Sequence, residues 1–459
     1  MKVSTEQVSA GGPRVERIEP TAHAGRGGAL TRRGVAMALF GAAAGAMFAP
    51  TLARAESPLQ ALQNYQLRAE WADRYDTAIA ELNQVKGTQP TLSPMTAVQI
   101  EQSIPVYQQI VARGGWPTLP EKTRLKLGSR DRAVGTLRER LMISGDLAAS
   151  GGRQDTFDSY VDGAVRRFQV RHGLQPDGIV GGATVLALNV PAEQRLRQLE
   201  LNLVRVRSMS GFLGERYVMV NIPSAEIEAV EGDVVRSRHT GVVGKIDRQS
   251  PILSAKIQEI NFNPYWHVPE SIIRKDLIPK MLADPQYLVK NRIRIYDGRG
   301  NELQATDIDW NTDQATQYLF RQEPGVENSM GSVKINFPNP HAVYMHDTPQ
   351  KTLFGQNARF HSSGCVRVQN VRELVSWLLE TNPEWPKSRI DEAIRTGERI
   401  DAKLQAPVPV YFNYVTAWAT QDGIVHFRDD IYQRDMGDAV AMNTTGAPVA
   451  EEAYFQLPQ

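Results

Sequence analysis

The chain of 459 residues contains a single cysteine, Cys365, in the segment HSSGCVRVQN. A thiol attacks a carbonyl carbon as its thiolate, so a catalytic cysteine needs a nearby base, and imidazole is the usual one. The preceding glycine and the following VRV predict a loop-to-strand junction, where a nucleophile could be held rigidly. A buried, inert thiol is the alternative, since cysteine is among the most buried residue types.

Eight histidines are candidate bases, and His341, His346 and His361 lie nearest to Cys365. We favour His346, because it ends the strand-like run AVYMH and a strand end is a rigid place for a base. His361 is four residues from the cysteine, and neighbours within one loop rarely point at each other. Tyr344 should share the strand face of His346, because side chains alternate along a strand.

Strand-like sequence surrounds these residues. The alternating segments RYVMVNIPSAEIEAV, VVRSRHTGVVG and SAKIQEINFNP predict a sheet from Arg216 onward, and SVKINF and AVYMH continue it. Between Trp266 and Met330, the helix-like SIIRKDLIPKMLA and polar, Asp-rich sequence predict an insertion that forms a lid or cap. The segment QDG at 421–423, between VYFNYVTAW and IVHF, predicts a hairpin.

The sequence before the sheet predicts helices. Residues 128–190 contain three amphipathic segments separated by Gly-Asp and Asp-Gly turns, enough for a small bundle. Residues 56–126 read as a helical scaffold, with one helix after Ser57-Pro58 and a shorter one around Ile104 to Val111. The last residues show no periodicity and predict a loose tail.

The first 55 residues predict an export signal. Thr31-Arg32-Arg33, an apolar run from Val35 to Ala49 and the triplet Ala53-Arg54-Ala55 follow one another in the order such signals require. The paired arginines resemble a twin-arginine signal, although they could also be the basic region of an ordinary secretory signal. The run is shorter than the roughly 20 residues of a spanning helix, so we expect no permanent anchor. Cleavage near Ala55 would leave the mature chain in the periplasm or cell envelope.

Composition excludes several other classes of protein. The chain has 52 Lys+Arg and 51 Asp+Glu, so its net charge of +1 gives no reason to expect a nucleic-acid partner. One cysteine excludes an intramolecular disulfide and any multi-cysteine zinc site. The sequence lacks H-E-x-x-H, G-x-S-x-G and Walker motifs. We therefore expect no metal and no cofactor.

The segments YMHDTP and SSGCVRV, with His346 19 residues before Cys365, resemble the active-site signature of the L,D-transpeptidase family. The likeness is to its larger Gram-negative subgroup and spans about residues 56–436, including NPYWHVPESI and GSVKINFPN. VRRFQVRHGLQPDGIVGGATVLALN resembles the three-helix peptidoglycan-binding module. The wider family has a histidine where this chain has Ser363, but the subgroup shares the serine, so the base remains His346.

This resemblance implies a multi-domain α+β chain. A helical scaffold and a three-helix peptidoglycan-binding-like module would precede a mainly β catalytic domain with a helical lid insertion. The predicted division is an export signal (1–55), a helical scaffold (56–126), a peptidoglycan-binding-like module (127–192), a catalytic domain (214–436) with its cap (266–330), and a tail (437–459).

The resemblance also assigns roles at the reaction centre. Cys365 would attack the carbonyl of the diamino acid at position three of a stem tetrapeptide and expel the terminal D-Ala. His346 would accept the thiol proton and return it to the leaving amine. Backbone N–H groups of Gly364 and Cys365 would stabilise the oxyanion.

Five further residues are expected to bind substrate, each with a structural alternative. Arg367 could hold a stem carboxylate or be a surface arginine. Tyr344 could orient the substrate or simply pack on its strand. Ser362 and Ser363 could donate hydrogen bonds to the substrate or only shape the turn. Trp266 could form a wall under the cap or belong to the core.

The resulting prediction is an exported cysteine L,D-transpeptidase that forms 3-3 cross-links between peptidoglycan stem peptides. Carbapenems would acylate the same thiol, and other cell-wall synthases are possible partners. One alternative is an L,D-carboxypeptidase or endopeptidase that uses water as the acceptor at the same site. The other is a peptidoglycan-binding protein with an idle catalytic domain. The sequence does not decide between transfer and hydrolysis.

Overall fold

The computed structural model describes residues 87–148, 154–211 and 213–436. The predicted export signal, the scaffold up to residue 86 and the predicted tail lie outside these residues. Within the described ranges, no helix combines the length and apolar character needed to span a membrane.

The first described helix, α1 (Pro94–Ala112), is longer than predicted. Ser93 caps it by accepting a first-turn N–H at 3.1 Å, and Pro94 occupies the first helical position, where its missing N–H costs nothing. The helix therefore begins well before the predicted start near Ile104. It packs against α5 (Ala192–Met209), a helix for which the sequence analysis made no assignment.

The three predicted helices of the small module are present as α2 (Ala133–Ile143), α3 (Ser159–Arg171) and α4 (Gly182–Asn189). Their apolar faces form one core that includes the fully buried Phe168. The buried Gln169 donates to Asp177 at 2.7 Å and accepts the N–H of Gly178 at 2.9 Å. Phe168 thus holds the core while its neighbour fixes the Asp-Gly turn.

The chain after α5 is built on one large sheet with strand order β11-β3-β12-β10-β9-β4-β13-β1-β2. Because β3 also pairs with β2, this order closes on itself. The strands are β1 (Arg216–Asn221), β2 (Glu226–Glu231), β3 (Val234–Gly244), β4 (Leu253–Phe262), β9 (Val333–Asn336), β10 (Met345–His346), β11 (Phe360–Ser362), β12 (Val366–Val368) and β13 (Ile400–Asn413). Helices α9 (Val371–Leu378) and α10 (Lys387–Thr396) pack on the inner face and complete the main core.

The insertion between β4 and β9 contains strands as well as the predicted helices. A four-stranded sheet has the order β5-β8-β6-β7 and comprises β5 (Trp266–Val268), β6 (Ile293–Tyr296), β7 (Glu302–Leu303) and β8 (Leu319–Gln322). Between β5 and β6, the chain forms α6 (Glu270–Ile272), a π-helical turn (Ile273–Leu277), α7 (Ile278–Ala283) and α8 (Tyr287–Lys290). The insertion has its own apolar core, so we call it the cap.

The predicted hairpin joins β14 (Ala417–Ala419) to β15 (Val425–Phe427). Its turn requires Gly423, whose φ is +79°, and the Thr420 N–H donates to the carbonyl of Ile424 at 3.0 Å. The hairpin contacts α1, α3 and α5 and shares an apolar cluster with β1, so it connects the helical part to the main sheet.

Candidate active site

Parallel pairing of β10 with β12 brings the predicted nucleophile and base to one face of the sheet. Met345 aligns with Val366 and His346 with Arg367, and the Val366 N–H donates to the carbonyl of Tyr344 at 3.0 Å. Aligned residues share a face and alternate residues share a side. Tyr344 and His346 on one strand, and Cys365 and Arg367 on the next, therefore face the same space.

The turn before the cysteine is held by two serines. The Ser362 hydroxyl donates to the carbonyl of Cys365 at 2.5 Å and accepts the N–H of Gly364 at 3.2 Å. Ser250 donates to the carbonyl of Gly364 at 2.8 Å. Gly364 has a φ of +111°, which L side chains rarely adopt, so glycine is required here. These contacts give Ser362 a turn-shaping position.

The predicted pair of oxyanion donors is reduced to one in this arrangement. The N–H of Gly364 is already hydrogen bonded to Ser362 and is not free for a substrate. Within the described residues, the N–H of Cys365 donates to no protein acceptor. This N–H is therefore the available backbone donor for an oxyanion.

The tautomer of His346 is set by the backbone carbonyl of the next residue, Asp347. Nδ1 lies 2.5 Å from the carbonyl oxygen of Asp347, and a carbonyl can only accept, so Nδ1 carries the proton. Nε2 is then left with a lone pair. The imidazole is thus a neutral base whose accepting nitrogen is the one not bound to the backbone.

Asp347 anchors the turn that holds the imidazole. Its carboxylate accepts the backbone N–H and the hydroxyl of Ser332, both at 2.9 Å, and pairs with Lys351. Burial disfavours the charged carboxylate, but Lys351 and these hydrogen bonds outweigh it and lower the pKa of Asp347. Gly331, at φ +59°, lies against this carboxylate, where any Cβ would collide with it.

Both reacting groups are uncharged at neutral pH. Burial raises the pKa of the half-buried Cys365 thiol to about 11, although Tyr344, Lys334 and Arg367 favour the thiolate. Burial, assisted by Arg367, lowers the pKa of His346 to about 3. The shared face therefore carries a neutral thiol and a neutral imidazole, so an attack by this thiol would require proton transfer in the same step.

Tyr344 links the thiol to the cap. Its hydroxyl is in hydrogen-bonding contact with Cys365 and with Trp266 of β5. Burial and the nearby Cys365 raise the pKa of Tyr344 well above its ordinary value, so it remains a donor. The ring meets His346 edge-on at 5.6 Å, and Lys334 Nζ lies 4.7 Å from the ring centre. Trp266 is thus part of the site and also packs against the cap core.

Arg367 lies on the same strand face as the thiol, and not all of its N–H groups are used in hydrogen bonds within the protein. Its Nη1 donates to Gln350 at 2.7 Å, while its buried Nε has no hydrogen-bond partner among the described residues. Burial lowers the pKa of Arg367, and the nearby Cys365 partly offsets this effect. This geometry suits a guanidinium that receives a substrate carboxylate or carbonyl.

Ser363 connects the nucleophile loop to the cap. Its exposed hydroxyl accepts from Arg248 Nη1 at 2.9 Å. Arg248 also forms a bidentate ion pair with Asp276 in the π-helical turn of the cap. Nη1 lies 2.5 Å from Oδ2, and Nη2 lies 3.2 Å from Oδ1. Three segments distant in sequence therefore meet at Arg248, and one of them is the loop that contains Cys365.

The two other histidines near the cysteine in sequence are used elsewhere. The Nε2 of His361 contacts Gln356 at 2.9 Å and the carbonyl of Ala358 at 3.0 Å. His341 is exposed in the loop before β10. Neither lies on the shared face of β10 and β12.

Sequence reasoning missed Lys334, Arg248 and Asp276. Lys334 aligns with His346 across β9, a register that depends on pairing between distant strands. The alternation in SVKINF could have placed Lys334 on a polar face, but not beside the thiol. The described residues contain no cluster of three or more His, Cys, Asp or Glu suited to a metal ion.

Comparison with known proteins identifies two regions of the chain. Residues 215–408 match the family described as "L,D-transpeptidase catalytic domain". Residues 130–188 match the family described as "Putative peptidoglycan binding domain". The predicted family resemblance and the multi-domain α+β fold class are thereby confirmed.

A relative from Haemophilus influenzae, described as "Putative L,D-transpeptidase", is 34% identical over 241 residues. The match covers 52% of this chain and 48% of the relative, so the chain spans about half of that protein's length.

Solved structures with detectable similarity include an L,D-transpeptidase from Xylanimonas cellulosilytica. It is 14% identical, with 65% of this chain and 100% of that chain covered and a TM-score of 0.21. An L,D-transpeptidase in complex with imipenem is 12% identical, with 43% and 59% covered and a TM-score of 0.20. Because both superpositions are poor, the family assignment depends on the sequence matches.

Proposed function

Because residues 215–408 match the L,D-transpeptidase catalytic-domain family, we propose that this chain is an exported cysteine L,D-transpeptidase. It forms 3-3 cross-links between peptidoglycan stem peptides through an acyl-enzyme on Cys365. The observation that carries the proposal is the shared strand face of Cys365 and His346, with Nε2 of His346 left as the accepting nitrogen. The peptidoglycan-binding family match of residues 130–188 supports the same substrate class.

Acylation begins with the neutral thiol. As Sγ of Cys365 attacks the carbonyl carbon of the third stem residue, His346 Nε2 accepts the thiol proton. The carbonyl oxygen becomes an oxyanion near the free N–H of Cys365. The C–N bond to the terminal D-Ala then breaks, and His346 returns the proton to the leaving amine. A thioester and free D-Ala result.

Deacylation repeats these steps with an acceptor. The side-chain amine of a second stem attacks the thioester carbonyl and gives a proton to His346. The C–S bond breaks, the new amide forms, and the proton returns to sulfur. Water in place of the amine would give a shortened stem, which is the hydrolytic alternative. The cap, held by the Arg248–Asp276 ion pair and the Trp266–Tyr344 contact, is placed to limit the access of water.

Two further features belong to this proposal. Residues 1–55 would direct export, with cleavage near Ala55 and a final location in the periplasm or cell envelope. Carbapenems would acylate Cys365, since the same thiol and base can open a strained lactam ring. The Tyr344 hydroxyl and the Lys334 and Arg367 cations favour negative charge on sulfur, which assists both reactions.

The deciding experiment incubates the purified protein with a disaccharide-tetrapeptide and follows the products by mass spectrometry. Cross-linked dimers with loss of one D-Ala, together with a transient adduct on Cys365, are expected. Shortened tripeptides alone would identify a carboxypeptidase. No product and no adduct, from a protein that binds peptidoglycan, would favour the idle-domain alternative.

A further inference from the structure

A polar pocket of about 320 Å³ lies beside the reaction centre, between the main sheet and the cap. Its walls come from β4, β9 and β13 of the main sheet and from β5 and β8 of the cap. The charged and aromatic lining residues are Glu259, Tyr265, His267, Arg321, Lys334, Arg399 and Asp401. The reaction steps above use none of these side chains except Lys334.

The floor of the pocket is continuous with the thiol face. Across neighbouring strands, His346 aligns with Lys334, Lys334 with Asn261, and Asn261 with Asp401. Aligned residues share a face, so this row leads from the base into the pocket. Neighbouring strands lie about 4.8 Å apart. Lys334 on β9 is therefore roughly 10 Å, and Asn261 on β4 roughly 14 Å, from β12, the strand that begins directly after Cys365.

Cationic groups line one part of the pocket. Arg321 lies 4.6 Å from the ring centre of Tyr265, and its Nη2 donates to Tyr296 at 2.7 Å. Its buried Nε has no hydrogen-bond partner among the described residues. The guanidinium of Arg399 lies 5.9 Å from the centre of the same Tyr265 ring. With Lys334, these groups can receive a carboxylate.

Anionic groups line another part. The side-chain amide of Asn261 donates to Glu259 at 2.5 Å and to Asp401 at 2.8 Å, which fixes the two carboxylates close together. Arg399 also pairs with Asp401 at 3.1 Å. A ligand ammonium could contact both carboxylates while its own carboxylate contacts the cations. The pocket is therefore matched to a zwitterion.

We propose that this pocket binds the free amino-acid end of the diamino acid side chain in the donor stem, holding its ammonium and carboxylate while Cys365 attacks the other end of that residue. The inference rests on the proposed function. It assigns Arg321, Arg399, Glu259 and Asp401 as residues that select the donor.

Chain length favours the donor over the acceptor. When one carboxyl carbon of diaminopimelate is bonded to the Cys365 sulfur, six bonds of about 1.5 to 1.8 Å lead from sulfur to the carbon that carries the distal ammonium. This is a span of roughly 8 Å. With its terminal charged groups, this span reaches the long side chain of Lys334, where the pocket begins. An acceptor amine must instead reach the thioester itself, and an ammonium held by Glu259 and Asp401 could not attack.

The test measures single-turnover acylation of Cys365 by intact-protein mass, using three donor tetrapeptides. The third residue is meso-diaminopimelate, L-lysine, which lacks the distal carboxylate, or 2-aminopimelate, which lacks the distal ammonium. The wild-type enzyme should acylate with diaminopimelate at least tenfold faster than with either other donor. Arg321→Gln and the more exposed Arg399→Gln should each slow the diaminopimelate reaction, on the order of tenfold to a hundredfold, and leave the lysine reaction unchanged.

The matched control is Arg294→Gln. Arg294 is an exposed arginine of β6, paired with Glu302 and Glu323 outside the pocket, and its loss should change no donor rate. Carbapenem acylation should be equal in all variants, which shows that each is folded and has a working thiol. Equal wild-type rates with the three donors, or equal slowing of the diaminopimelate and lysine reactions, would overturn the pocket assignment alone. A wild-type protein that accepts a carbapenem but none of the stems would overturn the proposed function, and this inference with it.

Discussion

Replacing His346 with alanine should make acylation of Cys365 depend on the thiolate concentration. Burial raises the pKa of the thiol to about 11, so about one thiol in ten thousand is ionised at pH 7. In the proposed mechanism, the imidazole accepts the proton during attack and no preformed thiolate is needed. General-base assistance of this kind typically contributes about 10²–10⁴-fold, and we expect a loss of that size at pH 7.

The assay is the rate of carbapenem acylation, followed by intact-protein mass, from pH 4 to pH 10. Burial and Arg367 lower the pKa of His346 to about 3, and the base is active when neutral. The wild-type rate should therefore not fall near pH 6.5, as it would for an ordinary histidine, but only as the pH approaches 3. The rate of the His346→Ala variant should rise about tenfold per pH unit throughout the alkaline range, since hydroxide replaces the missing base.

His361→Ala is the matched control, because its imidazole contacts Gln356 and Ala358 and not the shared strand face. It should retain the wild-type rate and pH profile. If His361→Ala lost most of its acylation rate while His346→Ala kept the wild-type rate, the assignment of the base would be refuted. A variant rate that levels off near pH 8 or 9 would instead refute the raised thiol pKa.

Three further predictions concern the nucleophile, the cap and the stability of the sheet. Cys365→Ala should abolish product and adduct formation while leaving the thermal midpoint nearly unchanged, and a folded variant that still forms product would exclude the acyl-enzyme. Arg248→Gln removes the bonds to Ser363 and Asp276 and should slow acylation on the order of tenfold, with partial recovery in Arg248→Lys; unchanged kinetics would show that this link is dispensable. Burial lowers the pKa of His239 to about 4, below its value near 6.5 in the unfolded chain. The neutral, buried imidazole therefore contributes fully to stability above pH 6.5. This contribution is lost as the pH falls towards 4, and the free energy of unfolding should decrease by on the order of 3 kcal/mol. His239→Gln should flatten the dependence of the thermal midpoint on pH in that window, and an unchanged slope would contradict the assignment.

Local patterns indicated Cys365 and His346 as candidate reacting residues, because each belongs to a short segment with its own signal. The glycine before Cys365 indicated a tight turn, and the strand-like run ending at His346 indicated a rigid base. Alternation then placed Tyr344 and Arg367 on the correct face without knowledge of the pairing. The same reasoning put an oxyanion donor at Gly364, and there it was incomplete, because Ser362 takes that N–H within the turn.

The groups that tune these residues come from distant strands, and their positions depend on register. Lys334 reaches the thiol face only because β9 pairs with β10 so that it aligns with His346, and a shift of one residue would turn it into the core. The cap strands are two to four residues long, too short for alternation to be distinguished from the surrounding polar sequence. A thiol-histidine signature can therefore be recognised from sequence alone, whereas the features that we propose to select the donor and acceptor, the cap and the charges aligned across the sheet, cannot. For this reason, the pocket that contains Arg321 and Asp401 became visible only in the folded chain.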